Sequence, residues 1–222
     1  MNGPHTTFEA WLAHCFNHPV SDPAWHCDID APMCEPSPAN AVEYLTRLFT
    51  KPLTFVGHFS DEQLNQGLWY LVSPSSSDTM FCLVDASVPE ASRIACVKAM
   101  KRLYTELFAS RCSDITSNGI THTGSVSALN SVCYMWWDIL PIHGRPEQPD
   151  RAQFDEAILI VLEDTLSISS QACQESALHG LGHWALYYPT RVQAVIRKYL
   201  ATSYVSPLLR NYAIAAEAGN VQ

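Results

Sequence analysis

The chain has 222 residues, 47% of them hydrophobic and only 16% charged, and acids outnumber Lys and Arg 22 to 13 for a formal charge of -9. That is enough chain for an apolar core of useful size. It carries too few cations for nucleic acid or an anionic membrane surface, where neutralising phosphates supplies much of the affinity. Residues 1–9 lack the basic stretch and apolar run of a signal peptide. The longest aliphatic run, residues 157–162, is far short of a membrane span. A cytoplasmic protein with neither nucleic acid nor membrane as a partner is expected.

Helix signals follow one another along the whole chain, with no convincing strand alternation. Thr6 or Thr7 opens a short helix over residues 8–18, with Phe8, Trp11, Leu12, Cys15 and Phe16 as its apolar stripe. Residues 19–37 hold Pro19, Pro23, Pro32 and Pro36 and read as irregular. Ser37 then caps a helix with Pro38 at its first position, and Val42, Leu45, Leu48 and Phe49 face inward. Ser60 to Gln63 forms a capping box for a helix that ends before Pro74. A short helix around residues 78–85 precedes a long one over 89–112, where Ile94, Val97, Tyr104, Leu107 and Phe108 share a band with Lys101, which must snorkel.

Residues 113–125, rich in Ser, Thr, Asn and Gly, read as an exposed loop. A helix over 126–140 carries Trp136 and Trp137, and Pro141, Pro146 and Pro149 break the chain after it. Asp150 is expected to cap the next helix, with Phe154, Ala157, Ile158, Val161, Leu162 and Leu166 at core spacing. A helix over 171–188 follows. Pro189 opens the penultimate helix, and Ser206-Pro207 opens the last, which Gly219 stops. Regular amphipathic helices with short breaks predict stacked antiparallel pairs in one all-α domain over 1–222, irregular over 1–125 and most regular over 126–222. The frame Glu-x4-Gly-Leu recurs at Glu62 and Glu175, in helices that both end at a proline, which supports an internal repeat.

The 171–188 helix carries the chemistry worth weighing. Glu175, His179 and His183 recur every four residues and so share one stripe. Ala177, Leu178, Leu181, Trp184 and Ala185 lie nearly opposite, so the stripe is expected to face away from the core. Two histidines at i and i+4 can chelate zinc, but Gly180 stands where the zinc-protease helix motif needs its glutamate base. The plainer expectation is a polar stripe turned to a partner, with no metal or cofactor bound. Gly180 and Gly182 are expected to admit a closely packed neighbouring helix. The adjacent aromatics Trp69/Tyr70 and Trp136/Trp137 diverge by 100° on a helix, so one of each pair is expected near the surface, and Trp69, Tyr70 and Trp137 join the candidate partner-binding residues.

Of the eight cysteines, Cys82, Cys96, Cys133 and Cys173 sit in apolar helical patterns, so reduced core thiols are expected. His14, Cys15, His26, Cys27 and Cys34 are metal-ligand types, but their spacing fits no compact zinc module. The paired acids Asp61/Glu62, Asp155/Glu156 and Glu163/Asp164 are expected at helix starts or on exposed faces. No nucleophile elbow or phosphate-binding glycine loop occurs.

Residues 150–219 resemble HEAT-like α-helical repeats in their paired helices, proline-started first helices and small residues in the second. Ala-Leu-His-Gly-Leu-Gly-His over 177–183 is similar to a segment of uncharacterised bacterial HEAT-like proteins. The resemblance implies an α-solenoid or superhelix that acts as an interaction scaffold or adaptor through a concave helical surface, and it implies no catalytic residues. The function expected first is therefore non-enzymatic binding of a protein partner at a surface including Glu175, His179 and His183. The alternatives are a metal-dependent enzyme on the same three residues and an acidic partner that neutralises a basic protein. The apolar surface that low charge leaves also suits a homodimer.

Overall fold

Side-chain caps set five of the eleven α-helix starts among the described residues. The computed structural model describes residues 6–114, 126–202 and 205–221, and every regular element among them is helical. Thr7 accepts a hydrogen bond from the Ala10 N–H to open α1 (Phe8–Phe16), and Ser37 does the same for Asn40 at α2 (Pro38–Thr50). Pro52, at its first position, begins a short α3 (Pro52–Val56) that was not expected. At α4 (Asp61–Val72) both halves of the Ser60/Gln63 capping box are made. Ser170 caps α9 (Gln171–Trp184), and Ser206 caps α11 (Pro207–Glu217). Each such oxygen satisfies a helix N–H that has no partner within the helix, a contribution of about 1 kcal/mol.

The remaining elements depart from expectation in informative ways. The long helix predicted over 89–112 is α5 (Glu90–Arg102), a π-helical segment (Leu103–Phe108) and α6 (Ala109–Arg111). The wider π turn directs Leu103, Tyr104, Leu107 and Phe108 all inward, and Tyr104 places its hydroxyl 2.7 Å from Ser176 of α9. The next helix, α7, spans Leu129–Ile139. Asp150 is no cap: it lies in a 3-10 turn (Pro149–Arg151), and α8 (Ala152–Leu166) begins without a side-chain cap bond. Helix α9 stops at Trp184, not at residue 188; residues 185–187 are turns, and Tyr188 precedes the proline that opens α10 (Pro189–Leu200). The proline ring excludes helical backbone at the residue before it, and Tyr188 takes φ -129 and ψ 57. The segment 19–37 is irregular apart from a 3-10 turn (Trp25–Cys27). The loop expected at 113–125 lies outside the described residues from 115 onward.

The helices pack in two rows. Helix α1 lies on α4, α4 on α7, α7 on α9 and α9 on α11, while α2, α5 and α8 follow one another in the second row. Contacts of α8 with α9 and of α10 with α11 tie the rows together. One apolar cluster runs through both, from Phe8 to Ala216. The two helical glycines of α9 have different neighbours. A methyl group at Gly180 would meet Trp137 Cβ and Leu162 Cδ2, each at 2.8 Å, whereas at Gly182 it would meet the Val221 side chain in the tail beyond α11.

That contrast sets a test by urea denaturation. Gly180→Ala should lose about 1–2 kcal/mol, since overpacking against the root of Trp137 outweighs the helix-propensity gain of about 1 kcal/mol. Gly182→Ala should be neutral or stabilising by up to ~1 kcal/mol, because the tail can move aside. Equal effects at the two positions would show that neither neighbour sets the cost.

Candidate metal centre

Two members of the Glu175/His179/His183 stripe, Glu175 and His179, do not face solvent. Glu175 is 4% exposed and His179 2%, because α7 and α11 flank α9 on the side that the sequence left open. The His179 ring lies 4.4 Å, centroid to centroid, from Tyr134 of α7. Its Nδ1 is 2.6 Å from the hydroxyl of Tyr212 of α11, and the two tyrosine hydroxyls are 2.9 Å apart. Burial pushes both phenols above their ordinary range, and the charges of Glu175 and Asp138 add to this. Burial also holds His179 down to about 4, with His183 adding to the shift and Asp138 opposing it.

One turn further along α9, His183 is only half-buried. Its Nε2 lies 3.2 Å from Nε2 of His179 and 3.2 Å from Oδ1 of Asp138, in the last turn of α7. The ligand atoms of Asp138, His179 and His183 all lie within 4.8 Å of one another, the one such convergence among the described residues. Glu175 is not part of it; it sits a turn away on the side of the two phenols. The close approach follows from Gly180, whose missing side chain lets the root of Trp137, the residue beside Asp138, lie against α9.

Protons serve this cluster in one tautomer, with Tyr212 donating to His179 Nδ1, His179 Nε2–H donating to His183 Nε2 and half-exposed Asp138 left to solvent. His183 Nε2 can instead carry one hydrogen, which bonds well to either Asp138 or His179 but not to both. If His179 then donates its Nδ1 hydrogen to Tyr212, the His179 Nε2 lone pair points at a nitrogen whose proton is committed to Asp138. In place of that proton, a divalent cation satisfies all three electron pairs together. Zinc–nitrogen bonds of about 2.0–2.1 Å place tetrahedral ligand atoms ~3.3 Å apart, close to the two spacings at His183, while His179 and Asp138 lie within 4.8 Å of each other. A histidine ligand commonly gives its second ring nitrogen to a fixed acceptor that holds its tautomer, the place Tyr212 takes here.

A cavity of about 200 Å³ opens beside Asp138 and His183, walled by Ile142, His143, Trp184 and Tyr187. Asp155 positions both loop walls. The sequence placed this carboxylate at a helix start or on an exposed face; it lies in the first turn of α8, yet it is 1% exposed. It accepts hydrogen bonds from the Arg145 N–H at 2.7 Å, the Tyr188 hydroxyl at 2.8 Å and the Arg151 guanidinium at 3.2 Å. It thereby ties the chain after His143 and the chain after Tyr187 to α8.

The other sequence-predicted residues lie elsewhere. Trp137 is 4% exposed and packs parallel to Tyr104 at 6.0 Å. Trp69 is partly exposed and donates to Ser131. Tyr70 is 2% exposed and meets His14 Nε2 at 3.2 Å. Four of the six residues expected to form a partner surface (Glu175, His179, Tyr70 and Trp137) therefore offer almost no surface. Near the N-terminus, His18 stacks on Trp25 at 3.8 Å, with His14 and His26 edge-on to the same indole. Cys15, Cys27 and Cys34 do not converge with these histidines into a metal-ligating group among the described residues. All eight cysteines are free thiols.

Sequence reasoning missed Asp138, Tyr134 and Tyr212. One signal was present for Asp138: a carboxylate in the last turn of a helix opposes the helix dipole, so its place there asks for another reason. Tyr134 and Tyr212 carry no such mark. Comparison of the chain with protein-family models, curated proteins and solved structures returned no match.

Two outcomes are expected from this geometry. Asp155→Ala should cost about 3 kcal/mol or more by chemical denaturation, since it strips three donors of a buried partner, and protease cleavage should rise between residues 141 and 149. The second concerns pH. Burial, with His18 adding, holds His14 and His26 below the ordinary 6.5. The unfolded chain therefore binds protons first as pH falls below about 7, and stability drops until the folded imidazoles also titrate. Denaturation midpoints between pH 7.5 and 5 should fall for the native chain and fall less for His14→Gln; an equal fall in the two would assign the loss to other groups.

Proposed function

We propose that this chain is a metal-binding protein that holds one zinc-class divalent cation through Asp138 Oδ1, His179 Nε2 and His183 Nε2. The observation that carries this is the convergence of three ligand atoms from two helices, with Tyr212 on the far ring nitrogen of His179. Two imidazoles and one carboxylate leave a coordination position open, the pattern of catalytic rather than structural zinc. Two of the three residues that would hold the ion, Asp138 and His183, line a cavity. The chain would thus use its ion to bind and polarise a small molecule, as a metal-dependent enzyme does.

Partner binding is a second reading with its own support. The succession α4, α7, α9 and α11 against α2, α5 and α8 is the order of packing that HEAT-like stacks use. Helix α11 ends its row, and its Leu208 and Ile214 are 47% and 56% exposed, a face suited to a protein partner or a second copy. No helix among the described residues is long and apolar enough to cross a membrane. Free thiols throughout fit a reducing compartment such as the cytoplasm.

Titrating chelator-treated protein with Zn2+ tests the metal reading. One ion should bind per chain by native mass spectrometry, and the melting temperature should rise, with about 2.7 kcal/mol of stabilisation at a hundredfold excess over Kd. Asp138→Ala and His183→Ala should abolish this uptake. Tyr212→Phe should weaken it about 10–100-fold, as loss of an outer partner does. A chain that takes up no stoichiometric metal and melts at the same temperature with and without chelator would exclude the site.

A further inference from the structure

We infer that the cavity beside Asp138 and His183 is a ligand pocket for small aromatic or branched monocarboxylates, an inference that rests on the metal reading above. Size sets the first limit. At about 200 Å³ the cavity is smaller than the roughly 300–1,000 Å³ of pockets for drug-sized ligands. It has room for about seven waters, and so for a molecule on the order of ten non-hydrogen atoms.

Charge sets the second limit. A divalent ion with one carboxylate and two neutral imidazoles carries a net charge of about +1. Among the described residues, Asp138 is the only acid lining the cavity, and no Lys or Arg lines it. One negative charge on the ligand therefore neutralises the site. A cation would meet repulsion with no free carboxylate to receive it, and a dianion would find no second positive charge. The walls set the shape. Trp137, Trp184 and Ile142 line the cavity while almost fully buried, and Leu186 stands 80% exposed at the rim. The buried indole N–H of Trp137 has no hydrogen-bond partner among the described residues. His143, exposed on the loop that Asp155 anchors, also lines the cavity and would offer a ring N–H to a bound carboxylate.

The experiment uses the full chain loaded with Co2+, whose visible absorption reports its ligands, while tryptophan fluorescence reports the walls. Benzoate, benzylammonium and inorganic phosphate are titrated in turn. Benzoate should shift the Co2+ bands and quench fluorescence along one saturation curve, and benzylammonium should do neither. Leu186→Glu, at an exposed position that the fold tolerates, should weaken benzoate at least tenfold and leave Co2+ affinity unchanged. His143→Ala should weaken benzoate several-fold, again without change in Co2+ affinity. If Co2+ does not bind, the metal reading fails and the pocket assignment falls with it. If Co2+ binds but benzoate moves neither signal, the ion stands and the pocket assignment is overturned. Phosphate or benzylammonium binding as tightly as benzoate overturns the charge argument.

Discussion

The site depends on how closely α7 can lie against α9. Gly180 removes the side chain that would hold the helices apart, and the root of Trp137 fills the space. Asp138 follows Trp137 in sequence, so the same contact brings its carboxylate to His183, one turn beyond Gly180. Glycine weakens a helix interior by about 1 kcal/mol. Here the helix is sheathed on several sides by α7, α8, α10 and α11, and packing compensates for the weaker intrinsic preference.

The same sheath explains why a polar stripe is buried. Glu175, Ser176 and His179 are among the few polar residues withdrawn from solvent. Burial of such groups is tolerated only when they are hydrogen-bonded. Tyr212 reaches His179 from α11, Tyr104 reaches Ser176 from the π segment, and Tyr134 joins Tyr212 from α7. Tyrosine suits this role because its ring adds apolar contact while its hydroxyl supplies the hydrogen bond. The stripe is therefore a polar seam between three helices that opens to solvent only at its last member, His183. Asymmetry of this kind holds one imidazole rigidly and leaves the other accessible, as a metal site with an open position requires.

Away from the helices, Asp155 performs a similar service for the loops. Its three donors come from the chain after α7, the turn before α8 and the residue before α10. Both loops that wall the cavity are thereby fixed to one buried carboxylate at the start of α8. The other walls of the cavity are helical, with Trp137 and Asp138 from α7 and His183 and Trp184 from α9.

Much of the fold was legible from local signals. Thr7, Ser37, Ser60 and Ser206 announce the helices they cap, prolines mark the breaks, and apolar spacing identifies the inward faces of α2, α8 and α10. These are short-range effects, set by backbone geometry and by a side chain's reach to its own helix, so the sequence contains them. The i, i+4 histidine pair was legible for the same reason. What the sequence could not decide is what covers a face. An amphipathic pattern identifies the more apolar side of a helix but not whether its other side meets water or a second helix. Burial of His179 and Glu175, the exchange of Glu175 for Asp138 as the carboxylate near the two histidines, and the withdrawal of Asp155 from solvent all follow from which helices pack together. Those pairings join residues far apart in the chain through contacts that leave no local mark on it, and only the tertiary structure decided them.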